Sequence, residues 1–170
     1  MTRQALFPFF AWLQDTLPGQ TIRHYSALVA LVEIVHLLGV TMLVGTVMMV
    51  DLSLLGLGMR RHPVSRIAGE LAPWTTGGLI VMLITGPLLL TSEALKCYDA
   101  SFFWIKMGLL AVTLVFHFAI HQRVALSEAP VGRWRAGLVG CASLALWTGI
   151  ALAGKMIGIF GDDLRTLSDQ

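Results

Sequence analysis

Residues 25–50 read YSALVALVEIVHLLGVTMLVGTVMMV. The stretch carries one acid, Glu33, and one histidine, His36, and no other ionisable side chain apart from the Tyr25 phenol at its start. A hydrocarbon core ~30 Å thick takes about 20 residues of helix at ~1.5 Å each, so the run is long enough to cross with residues to spare. It lacks the polar–apolar alternation of a membrane β-barrel strand, and lipid offers no partner for unpaired backbone groups. The stretch therefore predicts a membrane-spanning helix, and it decides the fold class.

Working outward, three further runs have the same character: about residues 71–90, 102–124 and 136–160. The expectation is an all-α integral membrane four-helix bundle, a single transmembrane domain over residues 1–170. Composition agrees. The 170 residues are 56% hydrophobic and 13% charged, against about 25% charged in an ordinary soluble domain, and the mean hydropathy is +0.75. Most of the surface must face a lipid bilayer. The net charge of +2 is too small and scattered for nucleic acid.

Before the first span, residues 5–17 hold Phe7, Phe9, Phe10, Trp12 and Leu13 and lead to Pro18-Gly19. Short, apolar and bearing a tryptophan, this segment predicts a helix lying on the membrane surface. It ends in Gln14 and Asp15 rather than in a small-residue cleavage site, so it reads as mature protein. Cys97 and Cys141 have no CxxC spacing and are expected to be free thiols. No phosphate-binding loop, nucleophile elbow, HExxH or zinc spacing occurs.

The connections set the expected orientation. Arg60, Arg61 and Arg66 fall between spans one and two, and Arg123, Arg133 and Arg135 against Glu128 between three and four. Glu93, Lys96 and Asp99 occupy the remaining connection, and Asp162, Asp163, Arg165 and Asp169 the tail. The positive-inside rule puts the first and third connections in the cytoplasm and both termini in the periplasm. Gly149 with Ala153, and Gly154 with Gly158, have helix-packing spacing, for the bundle itself or for a homo-oligomer. There is no internal repeat of the inverted-transporter kind.

Ionisable residues inside spans are costly and are functional candidates. By helix rise, His36 lies ~16 Å below the start of span one and His117 ~22 Å below the start of span three. The two spans run in the same direction, which puts the imidazoles within about one turn of the same depth. Two such rings on different helices are what a six-coordinate haem b requires as axial ligands, and Gly39, one turn from His36, would clear space for the macrocycle. The other reading is that each histidine bonds a hydroxyl or carbonyl of a neighbouring helix. His121, at i+4 from His117, shares its face and could replace it as ligand, or join His62 in a second site. Glu33, Lys106 and Lys155 could form an ion-paired cluster. In a haem protein Lys106, Lys155 and Arg23 would instead meet the propionates, with Glu33 orienting a histidine or carrying a proton. Asp51 is expected to pair with the loop arginines, and Thr85-Gly86-Pro87 to kink the second span.

The elements EIVHLLG, VDLSLLGLGMR, LAPWTTGG, ITGPLLLTSEALKCYDASFFWIK and VFH resemble an uncharacterised group of small bacterial four-helix membrane proteins, grouped as a domain of unknown function. The likeness covers about residues 5–125. The group's aspartate-leucine-arginine-leucine element has Ser53 in place of arginine here, and the asparagine usual between Tyr98 and Phe102 is replaced. The resemblance implies the bacterial inner membrane and a role for Glu33, His36, Asp51, Lys106 and His117. More remotely, the arrangement is similar to membrane cytochromes of the b561 and copper-resistance kind.

The leading expectation is a b-type cytochrome subunit of an oxidoreductase. It would pass electrons between a quinol and a redox partner protein, with His36 and His117 as metal ligands and haem b and a quinone as cofactors. The alternatives are a small proton-coupled transporter or channel, with Glu33 and His36 as relay, and a structural or assembly subunit of a membrane complex.

Overall fold

The computed structural model describes residues 2–57, 62–127, 129 and 131–168, with side chains between Ala5 and Ile157. Arg60, Arg61, Glu128 and Asp169, the surroundings of Gly158, and the side chains of Asp162, Asp163 and Arg165 lie outside what is described. Helices α1 (Thr2–Gln14) and α2 (Leu17–His24) precede α3 (Ser26–Leu54) and α4 (Val64–Ser92). A short α5 (Ala94–Asp99) leads to α6 (Ser101–Phe116), which continues through a π-helical turn (His117–His121) into α7 (Gln122–Ala125). Helix α8 (Arg133–Ser168) closes the chain. Four segments, Ser26–Leu54, Val64–Ser92, Ser101–Ala125 and Arg133–Ile157, are long and apolar enough to cross a membrane. The protein is an all-α, multi-pass membrane bundle.

Two boundaries differ from expectation. Pro18 does not end the N-terminal helix but opens a second one, α2, where its missing N–H costs nothing in the first turn. Helix α4 starts at Val64, well before Leu71, so Arg66 lies on a helix and pairs with Glu70 one turn on, Nε to Oε1 2.9 Å. Both changes occur where polar residues flank an apolar run, and lipid thickness does not limit a helix that continues into water. At the other difficult place, α4 runs through Pro87 without a break.

Four spans put both chain ends at one end of the bundle, here the terminal end, opposite the loop end where α3 joins α4 and α7 joins α8. Helices α1 and α2 cover the terminal end. Phe10 is buried there against Ala94, Ala100 and Phe103 and meets the rings of Tyr98 and Trp104 at 5.4 and 5.7 Å. Trp12 and Leu17 on the same cover stay exposed. The N-terminal segment is thus amphipathic in use, with one aromatic edge packed inward and one turned out.

Helix α3 packs along α4 and α8, and α6 packs along α8, whereas α4 meets the third span mainly at α7. The closest crossing joins α3 and α4. A Cβ on Gly39 would stand 2.7 Å from Val81 Cγ1, and one on Gly78 would stand 2.8 Å from the Gly39 carbonyl oxygen. Gly39 therefore admits a neighbouring helix rather than the edge of a macrocycle. Gly140 lets α8 approach α3, its Cβ position being 3.0 Å from the Asp51 carbonyl. Gly149 and Gly154 have more room, at 3.5 Å or beyond from the nearest atoms, so the closest approaches in the bundle are made elsewhere than at the expected glycines. Between the ends lies an apolar layer of Leu43, Val47, Leu79, Met82, Trp147 and Ile150.

Candidate functional site: a buried Asp-His-His cluster

Asp51 is completely buried. Its Oδ1 lies 2.6 Å from His121 Nε2, and His121 is itself 3% exposed. The expected pairing of Asp51 with loop arginines is replaced by this bond, because Asp51 points into the bundle from the last turns of α3. A carboxylate held in lipid needs a partner of this kind. With Asp51 ionised, His121 donates its Nε2–H, which leaves Nδ1 as the exchangeable position.

The π-turn explains why two histidines meet here. In a plain α-helix, residues four apart are offset around the axis, whereas the wider π-turn sets His117 and His121 almost above one another. Their rings stack with centroids 5.1 Å apart and planes 21° from parallel. Turns of this type recur at functional positions. Trp147 of α8 closes the far side of His117 in an edge contact at 6.5 Å. Asp51 Oδ2, His117 Nδ1, His121 Nδ1 and Ser143 Oγ are buried without a hydrogen-bond partner among the described residues. Native proteins leave few such groups bare, and water or an ion is the usual partner. No group of three or more His, Cys, Asp or Glu residues is arranged to hold a metal ion among the described residues.

His36 belongs to a different place. Thr85 donates its hydroxyl to the Val81 carbonyl at 2.7 Å, so its oxygen accepts the His36 Nδ1–H at 2.8 Å. This fixes the tautomer and leaves Nε2 as an acceptor. Lys106 lies within electrostatic reach of His36 and runs along Gly154 of α8, whose Cβ position is 3.6 Å from Nζ. Glu33, Lys155 and Arg23 are exposed, and Arg23 reaches the Gln14 carbonyl, at 3.4 Å. No ion pair joins Glu33, Lys106 and Lys155 among the described residues. His62 is exposed and lines a different depression from the one that His121 lines.

The depth expected for His117 is corrected here. Since His121 sits level with Asp51, the fifteen residues from His36 to Asp51 put His36 about 22 Å from that level along α3. His117 is one turn nearer, which leaves roughly 16 Å of axial separation from His36. The third span starts deeper than the first because α5 occupies the outermost turns of that side. His36 and His117 therefore do not face one iron, and a haem ligated by both does not fit this arrangement.

Residues 9–160 match a family described only as a family of unknown function, DUF6644. The chain belongs to that family. The match spans all four membrane helices and both polar clusters, and its description assigns no activity, cofactor or partner. No curated protein and no solved structure matches the chain.

At the terminal end, burial pushes the Cys97 thiol up to about 11, with the nearby Glu93 carboxylate adding to the effect and Lys106 and Lys96 opposing it. Cys97 and Cys141 are free thiols.

The sequence pointed to His117 and His121, and the resemblance to Asp51, but the pairing of Asp51 with His121, the π-turn and Ser143 were not foreseen. One signal was available: Asp51 and His121 both lie near the loop-end boundary of parallel spans, where equal depth brings them together.

Proposed function

We propose that this chain is a proton-handling membrane protein, of the kind that couples a proton to movement of a solute, with Asp51, His121 and His117 as its protonatable unit. The buried 2.6 Å bond between Asp51 and His121 carries this reading. A proton taken up at His121 Nδ1 makes an imidazolium, which the Asp51 carboxylate stabilises across the ring. Two charged imidazoles 5.1 Å apart would repel by on the order of 3 kcal/mol at an effective dielectric of about 20, so the stacked pair takes up one added proton at a time. The proton-relay role expected of Glu33 and His36 passes to this cluster, because Glu33 is exposed and His36 is engaged with Thr85. The arginines at the loop end support an orientation with that end in the cytoplasm and both termini in the periplasm of a bacterial inner membrane.

Infrared difference spectroscopy during a pH titration of the protein in lipid tests the reading. Imidazole bands and the Asp51 carboxylate band should change together, and Asp51→Asn should remove the carboxylate component. If no histidine or aspartate band titrates in wild-type protein, the cluster is a packing contact and the structural-subunit reading stands instead. The absorption spectrum separates the cytochrome reading: sharp reduced bands lost in both His36→Ala and His117→Ala would overturn the assignment made here.

A further inference from the structure

We infer that the groove between α3 and α4 at the loop end is a headgroup site for a zwitterionic phospholipid, with Arg66 on its phosphate and Glu70 on its ammonium. The inference stands apart from the proton-handling reading and does not depend on it.

A cavity of about 190 Å³ lies in this groove, lined by Met49 of α3, His62 of the connecting loop, and Arg66, Ile67, Glu70 and Leu71 of α4. One water needs roughly 10–15 Å³ of such space, so the cavity has room for a group much larger than a water. Its wall is divided by chemistry. His62, Arg66 and Glu70 are polar and exposed, whereas the apolar Ile67 is buried and Leu71 half-buried. Thr75 donates to Thr46 Oγ1 at 2.9 Å, and this register sets Met49 of α3 about level with Leu71 of α4. Met49 is 44% exposed, so the apolar part of the wall continues onto the lipid-facing side of α3. A polar rim above an apolar floor fits a molecule with a charged head and a hydrocarbon tail.

The depth of the groove is that of lipid headgroups. Helix α4 has 29 residues, about 43 Å at ~1.5 Å each, against a hydrocarbon core of ~30 Å. Arg66 and Glu70 stand in its first two turns, ahead of the apolar run that begins at Leu71, so the excess length falls at the loop end. Trp74, one turn beyond Glu70, and Trp134, at the start of α8, are both exposed there, as tryptophans at a membrane interface are. An exposed pair at i,i+4 is commonly a solvated contact worth little. Here the pair faces a cavity at phosphate depth with unused groups of both signs. Arg66 Nε is spent on Glu70 Oε1 at 2.9 Å, which leaves both terminal guanidinium nitrogens and Oε2 without partners among the described residues. Two parallel N–H groups suit a phosphate, and the free carboxylate oxygen suits an ammonium. The two side chains carry opposite charges, so together they favour a headgroup that bears both signs over a purely anionic one.

Native mass spectrometry of the full chain tests this, with delipidated protein in detergent titrated with phosphatidylethanolamine, phosphatidylcholine or phosphatidylglycerol of one acyl composition. Phosphatidylcholine keeps both headgroup charges but has no ammonium N–H to donate, and phosphatidylglycerol has no cation for Glu70. The first bound phosphatidylethanolamine should therefore appear at about fivefold lower lipid concentration than either of the others, the upper range for one partly exposed ion pair. Glu70→Gln should abolish that preference, and Arg66→Gln should weaken retention of all three lipids. Both side chains are exposed, and the wild-type comparison needs no variant. Equal retention of the three lipids by wild-type protein would show ordinary annular contact and overturn the inference. A preference for phosphatidylglycerol would show that net positive charge governs binding, and would overturn the zwitterionic assignment. A preference for phosphatidylethanolamine that survives both variants would place the lipid elsewhere on the bundle. Equally tight binding of soluble glycerophosphoethanolamine would show that the site takes a free solute, and would overturn the lipid as occupant.

Discussion

The two polar clusters in the bundle use similar residues and have opposite fates. At the loop end, Asp51, His121 and His117 are at most 7% exposed and locked together by a 2.6 Å bond and a ring stack. At the terminal end, His36 has one hydroxyl partner, Lys106 lies along a glycine, and Glu33 and Lys155 are exposed. The difference comes from how closely α8 approaches α3. Gly140 brings α8 against the Asp51 carbonyl, and the π-turn presses two rings into the space that remains. The apolar layer keeps the clusters apart. A buried charge next to a close helix crossing becomes half of a pair, whereas the same residue type farther along the helix stays at the surface.

The contrast is broken most sharply at Asp51. Asp51→Leu leaves His121 buried with no acceptor and should cost about 3 kcal/mol or more in a reversible detergent-denaturation titration, while Glu33→Gln should stay within about 0.5 kcal/mol. Equal losses at the two positions would erase the distinction. Next in size is the α3–α4 crossing. Gly78→Ala places a methyl 2.8 Å from the Gly39 carbonyl oxygen and from Leu43 N, both backbone atoms that cannot step aside, and should destabilise by about 1–3 kcal/mol. Gly108→Ala meets nothing within 4 Å and should change stability by no more than about 0.5 kcal/mol, measured by the same titration.

Thr85→Val tests the weaker cluster. It removes the acceptor of His36 Nδ1–H and should cost about 1 kcal/mol, with Thr85→Ser restoring most of it. A loss as large as that of Asp51→Leu would mean that the terminal-end cluster is the tighter one. The smallest effect concerns Cys97. With its thiol at about 11, above the ordinary value, the reactive thiolate is scarce at neutral pH. Alkylation at Cys97 in the Cys141→Ala protein should be slow near pH 7.5 and accelerate as pH rises toward 11. A fast reaction at neutral pH would place Cys97 in water rather than against the aromatic cover.

The fold was legible because hydrocarbon thickness is a one-dimensional constraint. Runs such as residues 25–50 satisfy it or fail it, and all four spans appear where apolar composition put them, displaced only at their polar flanks. The site was half legible. His117 and His121 stand out as intramembrane histidines on one face, but depth counted from the start of each span misplaced His117 against His36. A six-residue helix, α5, separated the start of the apolar run from the start of the bundle, and no composition rule reports that offset. Asp51 was misread for a related reason: at a span boundary, loop arginines and a buried histidine are equally near in sequence, and only the rotation of α3 decides between them. The Gly39–Gly78 crossing joins two helices, and spacing within one helix cannot reveal it.

The π-turn at His117–His121 is slack wound into an otherwise taut helix. It holds one residue more than an α-helical turn, so drawing it in would turn the helix on one side by about one residue's rotation, roughly 100°, unless the slack passes to a neighbouring turn. Passing it to the next turn between Thr113 and Val124 would swing one imidazole relative to the other by about that angle. Thr113 above and Val124 below would stay where they are packed. A ring that now lies under its neighbour would then face a different wall of the bundle, and the proton it carried would travel with it.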